Sequence, residues 1–362
     1  MPNSLKAATR EKRGKGVRER VSAENKCPGN WLQFLKDAIN KKELNEFLAE
    51  TLSAMTYPSD RQFIVTHREN ILSNCGMTMP VCSHEEADAR LLHHVKHALS
   101  ENMTFVQILS NDTDVVILAL GVYHMLCSNH IFDDLVIEFG MGKNHRKISI
   151  KSLADSLGQL RSQALVFFHA FSGCDTTSAF KSIGKKKLYK ALNAYPEIET
   201  IFADFHVHPF PQLNENDSRF QKIERFVILM YSRTSISTSV NEVRMNMYFS
   251  WTQNIENIPP TRNALFFHTK RALYQSGVWS RCLDAQQNLP SPKGFGWQES
   301  DDAVVKWIPY WMSQSEASKE CREFIKCSCK AACIPSRCTC KGADFKCTLL
   351  CKCKCSDKVT YE

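Results

Sequence analysis

Between Cys327 and Cys355 the chain sets nine of its 16 cysteines in the order Cys327-x-Cys329, Cys333, Cys338-x-Cys340, Cys347 and Cys351-x-Cys353-x-Cys355. Almost no apolar side chain lies among them, so this stretch has no material for a hydrophobic core. It folds only if bound metal supplies the free energy, on the order of 10–16 kcal/mol for each structural Zn²⁺. Nine thiolates do not divide into separate four-ligand sites. They serve three tetrahedral Zn²⁺ ions when three sulfurs bridge. The spacing therefore predicts a structural cluster of three zinc ions. Lys330, Arg337, Lys341, Lys346, Lys352 and Lys354 more than offset its negative charge, and neutralising the cluster is their first task. Cys321 lies just outside and is a substitute ligand.

The rest of the chain is different. Of 362 residues, 43% are hydrophobic and 23% charged, which is globular composition. Residues 1–21 have charge but no apolar core, so no secretory signal is read there. The longest apolar stretch, 115–126, falls short of the roughly 20 residues that span a bilayer. A reducing intracellular compartment is expected, where cysteines hold metal or stay free. A net charge of +8 fits a polyanionic partner.

Three acidic clusters punctuate this region. Phe105–Leu109 has the length and apolarity of a strand, and 115–123 begins a helix. Asp112 and Asp114 fall in the turn between them. Ligand sites in α/β sheets gather at such carboxyl ends of strands, and helix starts favour negative charge. Glu86 and Asp88 open another helix, since Leu91, Leu92, Val95 and Leu99 follow at near-helical spacing. Asp175 follows the buried-looking run 165–171. Read singly, each acid is a helix cap or a wet surface. Brought together, carboxylates repel unless a cation sits among them. An all-carboxylate set suits Mg²⁺ or Mn²⁺. Two such ions, roughly 3.5–4 Å apart, clamp the attacking and leaving oxygens of a phosphodiester. On a regular helix Glu85 shares a face with Asp88 and Glu86 does not, so helical geometry leaves the choice between them open.

Glu-Ala-Asp at 86–88, Asp-x-Asp at 112–114 and Gly-Cys-Asp at 173–175 resemble the core of the flap-endonuclease family of structure-specific 5′ nucleases, within the PIN-like nucleases. The resemblance implies an α/β fold, a parallel sheet flanked by helices. It implies Glu86, Asp88, Asp112, Asp114 and Asp175 as catalytic ligands of two Mg²⁺ or Mn²⁺ ions. Residues 180–188 resemble the family's helix-two-turn-helix, which implies phosphate contacts from Gly184, Lys185, Lys186 and Lys187. By chemistry alone these lysines at a helix start either hold a phosphate or form a solvated face. Residues 2–6 resemble the stretch that follows an acid-ending strand in these nucleases. That strand and an earlier one, each with a further carboxylate, do not precede it here, so a shortened copy is implied. More closely, 84–178 and much that follows resemble uncharacterised animal proteins, often of mobile-element origin, which share Ser-His-Glu-Glu-Ala-Asp, Gly-Cys-Asp-Thr and a cysteine-rich tail. The tail resembles a tesmin-type CXC domain and, more loosely, the pre-SET zinc cluster. CXC domains bind DNA in the minor groove through a tyrosine beside the central Cys-x-Cys. Arg337 stands in that place here, and arginine suits a narrow minor groove.

Four regions are expected. Residues 1–28 are a basic lead-in, with Lys6, Arg10, Lys12, Arg13, Lys15, Arg18 and Arg20 against Glu11 and Glu19. It reads as a solvated entry, a nuclear-localisation patch or a DNA-contacting arm. Residues 29–205 form the nuclease-like core. Within it, 29–56 are two core-covering helices, 62–67 a strand and 75–82 a loop. Cys75, Cys82 and His84 read as thiols and a histidine without metal spacing. Segments 135–139 and 147–150 form a hairpin. Helices follow at 151–157 and 159–171, with His169 a satisfied core histidine. Residues 206–320 are a mainly helical cover, with helices at 220–231, 241–249 and 263–274 between proline breaks. Trp279, Trp297, Trp307 and Trp311 pack it down. Residues 321–362 are the zinc cluster.

Two function classes compete. One is a divalent-metal-dependent nuclease that activates water, with a tail that holds nucleic acid. The other is a non-catalytic nucleic-acid-binding or scaffolding protein derived from such a nuclease, disabled by its missing strands. A zinc-stabilised protein-interaction module accounts for the acids less well. The expected partner is nucleic acid, DNA in particular, with no membrane, in the nucleus.

Overall fold

In this computed structural model, the structure describes residues 5–6, 16–250, 257–301, 306–312, 326–331, 333–334, 337–342, 346–349, 351–355 and 358. Arg10, Lys12, Arg13, Lys15 and Cys321 lie outside the described residues. The chain divides into two compact units, Met1–Trp311 and Met312–Glu362.

In the first unit, side-chain caps divide the opening helical stretch. Asn30 Oδ1 accepts from Gln33 N (3.1 Å) and starts α1, Trp31–Lys36. Asp37 Oδ1 accepts from Ile39 N and Asn40 N (2.8 and 2.9 Å) and starts α2, Ala38–Ser53. These helices are not the core cover expected of them. Phe34 and Ala49 are buried, but Leu32, Ile39 and Leu48 stay exposed. The reason is their partner. α2 packs on a two-stranded hairpin, β1 (Ile64–His67) and β2 (Asn70–Ser73), and two four-residue strands have little apolar surface to offer.

Next come α3 (Ala87–Ser100), β3 (Phe105–Leu109), α4 (Thr113–Asn129), β4 (Asp134–Phe139) and β5 (Arg146–Ser149). β3 and β4 run parallel, joined through α4, which is the crossover that parallel pairing needs. β5 folds back antiparallel on β4, because the few residues between them close only a hairpin. The sheet is therefore small and mixed, ordered β3-β4-β5, rather than all parallel. Val106 and Ile108 turn inward from β3, whereas Phe105, Gln107 and Leu109 lie exposed.

α5, Ile150–Ser172, joins the two helices expected at 151–157 and 159–171. They meet at Gly158, whose φ of 75° breaks the helical path where a side chain would be strained. Its second half is buried almost throughout. Phe167 lies 4.7 Å from Phe202 and 4.9 Å from Phe205, ring centre to ring centre. Those two rings belong to α7 (Glu197–Val207), which follows α6 (Lys185–Ala194). α8 (Ser218–Tyr231), α9 (Val240–Ser250) and α10 (Arg262–Ser280) complete the helices of this unit among the described residues. One continuous set of buried side chains runs from Ala89 to Leu283, so α8 to α10 are part of the same core as the sheet. A last hairpin, β6 (Trp297–Glu299) and β7 (Trp307–Pro309), buries Trp297 and Trp307 with Tyr274 and Phe295. Trp279 is buried as well. Trp311 is not; it is 57% exposed, with the Arg271 guanidinium 4.9 Å over its ring.

In the second unit, one helical turn, α11 (Thr339–Gly342), is the described regular element, and cysteine sulfur takes the place of a hydrocarbon core. Among the described residues, no helix is long and apolar enough to cross a membrane.

Candidate metal centres

The acid-bearing turn after β3 is built by its own polar side chains. Ser110 Oγ accepts from Asp112 N (3.1 Å), and Asp112 Oδ1 caps α4 by accepting from Asp114 N (2.9 Å). Asn111 Oδ1 takes the Gly140 N–H (2.9 Å), which ties this turn to the end of β4. Across from it, Glu86 sits at the N-cap of α3 with extended backbone (φ −88°, ψ 134°), and Asp88 is in the first turn. Because Glu86 is outside the regular helix, the helical-face argument for Glu85 does not apply. The Glu86 carboxylate is close enough for its charge to act on Asp88.

One carboxylate oxygen each from Asp88, Asp112 and Asp114 lies within 4.8 Å of the others. Burial, then the charges of Asp112, Glu86 and Asp114, push the Asp88 carboxyl up to about 6. Asp114 goes the other way. Burial works to raise it, but the hydrogen bond and charge of His169, then Lys185 and Lys6, hold it below the usual carboxylate range. Three close oxygen donors with no thiol or imidazole among them suit a hard divalent ion such as Mg²⁺.

Glu86 and Asp175 meet at a different cation. Lys6 Nζ lies 3.1 Å from Glu86 Oε1 and 3.7 Å from Asp175 Oδ2. Burial lowers the Lys6 pKa, but Glu86, Asp175 and Asp114 outweigh it, so the ammonium is held above its ordinary value. Asp175 hangs on a tight turn after α5. Gly173 there has φ 109°, and an added Cβ would sit 2.8 Å from that of Ala179.

Sequence reasoning missed two supports. Trp279, from α10, donates its indole N–H to Glu86 Oε2 (3.2 Å) and stands 5.6 Å from the His169 ring. Nothing in the local spacing signals a partner 193 positions away. His169 is the buried, satisfied histidine expected of it, but its partner is an acid of the site: Nε2 lies 2.8 Å from Asp114 Oδ1. Lys6 was visible only as one of several basic lead-in residues. All three lysines at the start of α6 are exposed, and Lys185 sets its ammonium 3.0 Å from Nδ1 and 3.4 Å from Nε2 of His169. Gly184 is the N-cap of α6 and brings no side-chain cap. Cys75, Cys82 and His84 form no ligand group among the described residues, and the His84 Nε2–H bonds the Asp284 carbonyl (2.6 Å).

In the second unit all nine tail cysteines are drawn together. Cys327, Cys329, Cys333 and Cys338 form one set with sulfurs within 4.8 Å, and Cys333, Cys347, Cys353 and Cys355 form another. Cys327 and Cys347 also share close sets with Cys340 and with Cys351, and the Cys340 and Cys351 sulfurs are 3.7 Å apart. These four make a third set. Every cysteine is then used, and Cys327, Cys333 and Cys347 are the three shared between sets in this grouping; Cys338 and Cys353 also lie close to more than one set. Cys333 is 3.6 Å from both of the other two. Lys330, Arg337, Lys341, Lys346, Lys352 and Lys354 are all exposed around this sulfur core.

Compared with protein-family models, with curated proteins and with solved structures, the chain matches none. What stands is a mixed α/β unit with an acidic triad at the carboxyl end of a parallel strand, and a cysteine cluster suited to zinc.

Proposed function

We propose that this chain is a nucleic-acid phosphodiester hydrolase of PIN-like, flap-endonuclease type, dependent on Mg²⁺ or Mn²⁺ and equipped with a zinc-bound tail that holds nucleic acid, in the nucleus. The observation that carries this is the meeting of Asp88, Asp112 and Asp114, from two separate helix starts, within 4.8 Å at the end of β3. A bound cation would relieve the repulsion among these three carboxylates. When bound, the ion supplies a deprotonated water and neutralises phosphoryl oxygen.

The protein's own groups then divide the work. Asp112 holds the turn as a helix cap while presenting its second oxygen. Lys6 offers a fixed positive charge beside Glu86 and Asp175, suited to a phosphoryl oxygen. The uncapped start of α6, with Lys186 and Lys187 exposed, suits a backbone phosphate further along the strand. The cationic rim of the cysteine cluster, Arg337 included, suits the same polyanion. The expected complement is two ions. The geometry supports one at the triad, with Lys6 as the cation of the Glu86–Asp175 pair.

That same contact favours a second reading, a nucleic-acid-binding protein without catalysis, because an ammonium already neutralises part of the acid set. Cleavage of flapped and single-stranded DNA in Mg²⁺ or Mn²⁺ separates the two. The hydrolase reading expects cutting by the wild type and none by Asp112→Ala with Asp114→Ala. If neither cuts and both bind DNA, the binding reading stands and the hydrolase reading falls.

A further inference from the structure

His169 lies in the last turn of α5, 5% exposed, between two charged groups of opposite sign. Lys185 Nζ is 3.0 Å from Nδ1 and 3.4 Å from Nε2, and Asp114 Oδ1 is 2.8 Å from Nε2. An ionised carboxylate has no proton to give, so the ring proton that faces Asp114 sits on Nε2 and is donated to Oδ1. The ring is packed on a fixed neighbour. Trp279 stands 5.6 Å from it, and that indole is itself anchored on Glu86.

We propose that His169 is a positioning residue for the acidic triad: it holds one carboxylate oxygen of Asp114, sets the direction of the other, and links that orientation to Lys185 at the first residue of α6. This rests on the metal-site reading of the triad. Asp114 needs such a clamp more than Asp112 does. Asp112 already bonds a backbone N–H as a helix cap, while the contact that orients the Asp114 carboxylate is His169. A carboxylate whose rotation is fixed presents its free oxygen without an ordering cost when an ion arrives. Losing the outer hydrogen-bond partner of a metal ligand typically costs about 10–100-fold in metal affinity.

The test is Mn²⁺ titration, by calorimetry, of the zinc-loaded full-length chain carrying His169→Gln or His169→Asn. Glutamine places an amide N–H near the original Nε2 and keeps the bond to Asp114. Asparagine is too short to reach it but can still meet Lys185. Wild type and His169→Gln should bind Mn²⁺ within about threefold of each other, and His169→Asn about 10–100-fold more weakly, at matched melting temperatures. Asparagine binding as tightly as wild type, or a folded glutamine variant binding as weakly as asparagine, overturns the positioning role. Should asparagine prevent folding, His169→Ser, which also cannot reach Asp114, takes its place under the same expectation. Absence of Mn²⁺ binding by the wild type overturns the metal reading, and the inference with it.

Discussion

The acidic triad and the cysteine cluster solve the same problem, gathering like charges, by opposite routes. Asp88, Asp112 and Asp114 sit on elements held by a hydrocarbon core that runs from Ala89 to Leu283, so their convergence is imposed on them. The cysteines lie within one short stretch, and the interior they share is sulfur. An ion at the triad would be a guest in a fold that exists without it. Zinc at the cluster would be the reason that unit folds. The difference teaches that close donors alone do not say what a metal does for a protein; what surrounds the donors does.

The largest expected effect breaks or keeps that contrast directly. Chelating zinc should unfold 326–358, since on the order of 10–16 kcal/mol per ion is withdrawn. Limited proteolysis should then cut within the tail, while the main thermal transition of the first unit moves by no more than a few degrees. Within the cluster, Cys333→Ser should release more zinc per chain than Cys355→Ser, because Cys333 belongs to two ligand sets and Cys355 to one. A tail that resists protease without zinc, or equal release from both variants, contradicts the assigned bridging.

The matching experiment on the triad should affect function and spare the fold. Asp112→Ala with Asp114→Ala removes two of three close oxygens, and Mn²⁺ affinity should fall by at least about 100-fold. The lost cap costs about 1 kcal/mol and the unpaired His169 N–H about 1–3 kcal/mol, which relief of repulsion around Asp88 offsets in part. Melting within a few degrees of wild type is expected; collapse of the fold would place the triad with the cluster as a structural device.

Titration sharpens the contrast further. With Asp88 pushed up to about 6, an ion must displace a proton below that pH. Mn²⁺ affinity should therefore fall by about tenfold per pH unit below 6 and level off above it. The metal-free fold follows a different sign. A raised carboxyl pKa favours the fold at low pH, and that contribution is lost as pH rises through about 6. Burial pushes His206 and His268 down to about 4, so their contribution is present above 6.5 and lost as pH falls towards 4. Two histidines outweigh one aspartate, and the metal-free protein should melt lower at pH 5 than at pH 7. The opposite order would mean that one of these imidazoles is not sealed from water.

What was legible beforehand follows the same division. The cysteine spacing, the strand at Phe105–Leu109 and the capped turn carrying Asp112 are local patterns, and each appears where its pattern lies. Sequence also indicated the β4–β5 hairpin and the break at Gly158. What escaped it is long-range. Trp279 reaches Glu86 across 193 positions, and Lys6 looked like one solvated cation among many. The helices α1 and α2 have amphipathic patterns but meet a partner too small to bury them, which periodicity does not reveal. β2 is four residues long and lies below the length at which alternation is readable.

The smallest effect belongs to Lys6, where the two routes touch: a side-chain cation stands beside acids that a metal ion would also be drawn to. Lys6→Gln removes one positive charge 3.1 Å from Glu86 and 3.7 Å from Asp175 and keeps a polar group of similar length. A unit charge about 4 Å away contributes about 1 kcal/mol even at the dielectric of water, the lower bound for this site. Mn²⁺ should bind a few-fold more tightly to the variant, and the gain should shrink as salt rises, since screening weakens the term that was removed. If Lys6 also steadies a phosphoryl oxygen, turnover should fall in the same variant. Tighter metal with slower cutting is thus the expected pair. Weaker Mn²⁺ binding would show instead that Lys6 orders Glu86 for the ion, placing that carboxylate among the ligands.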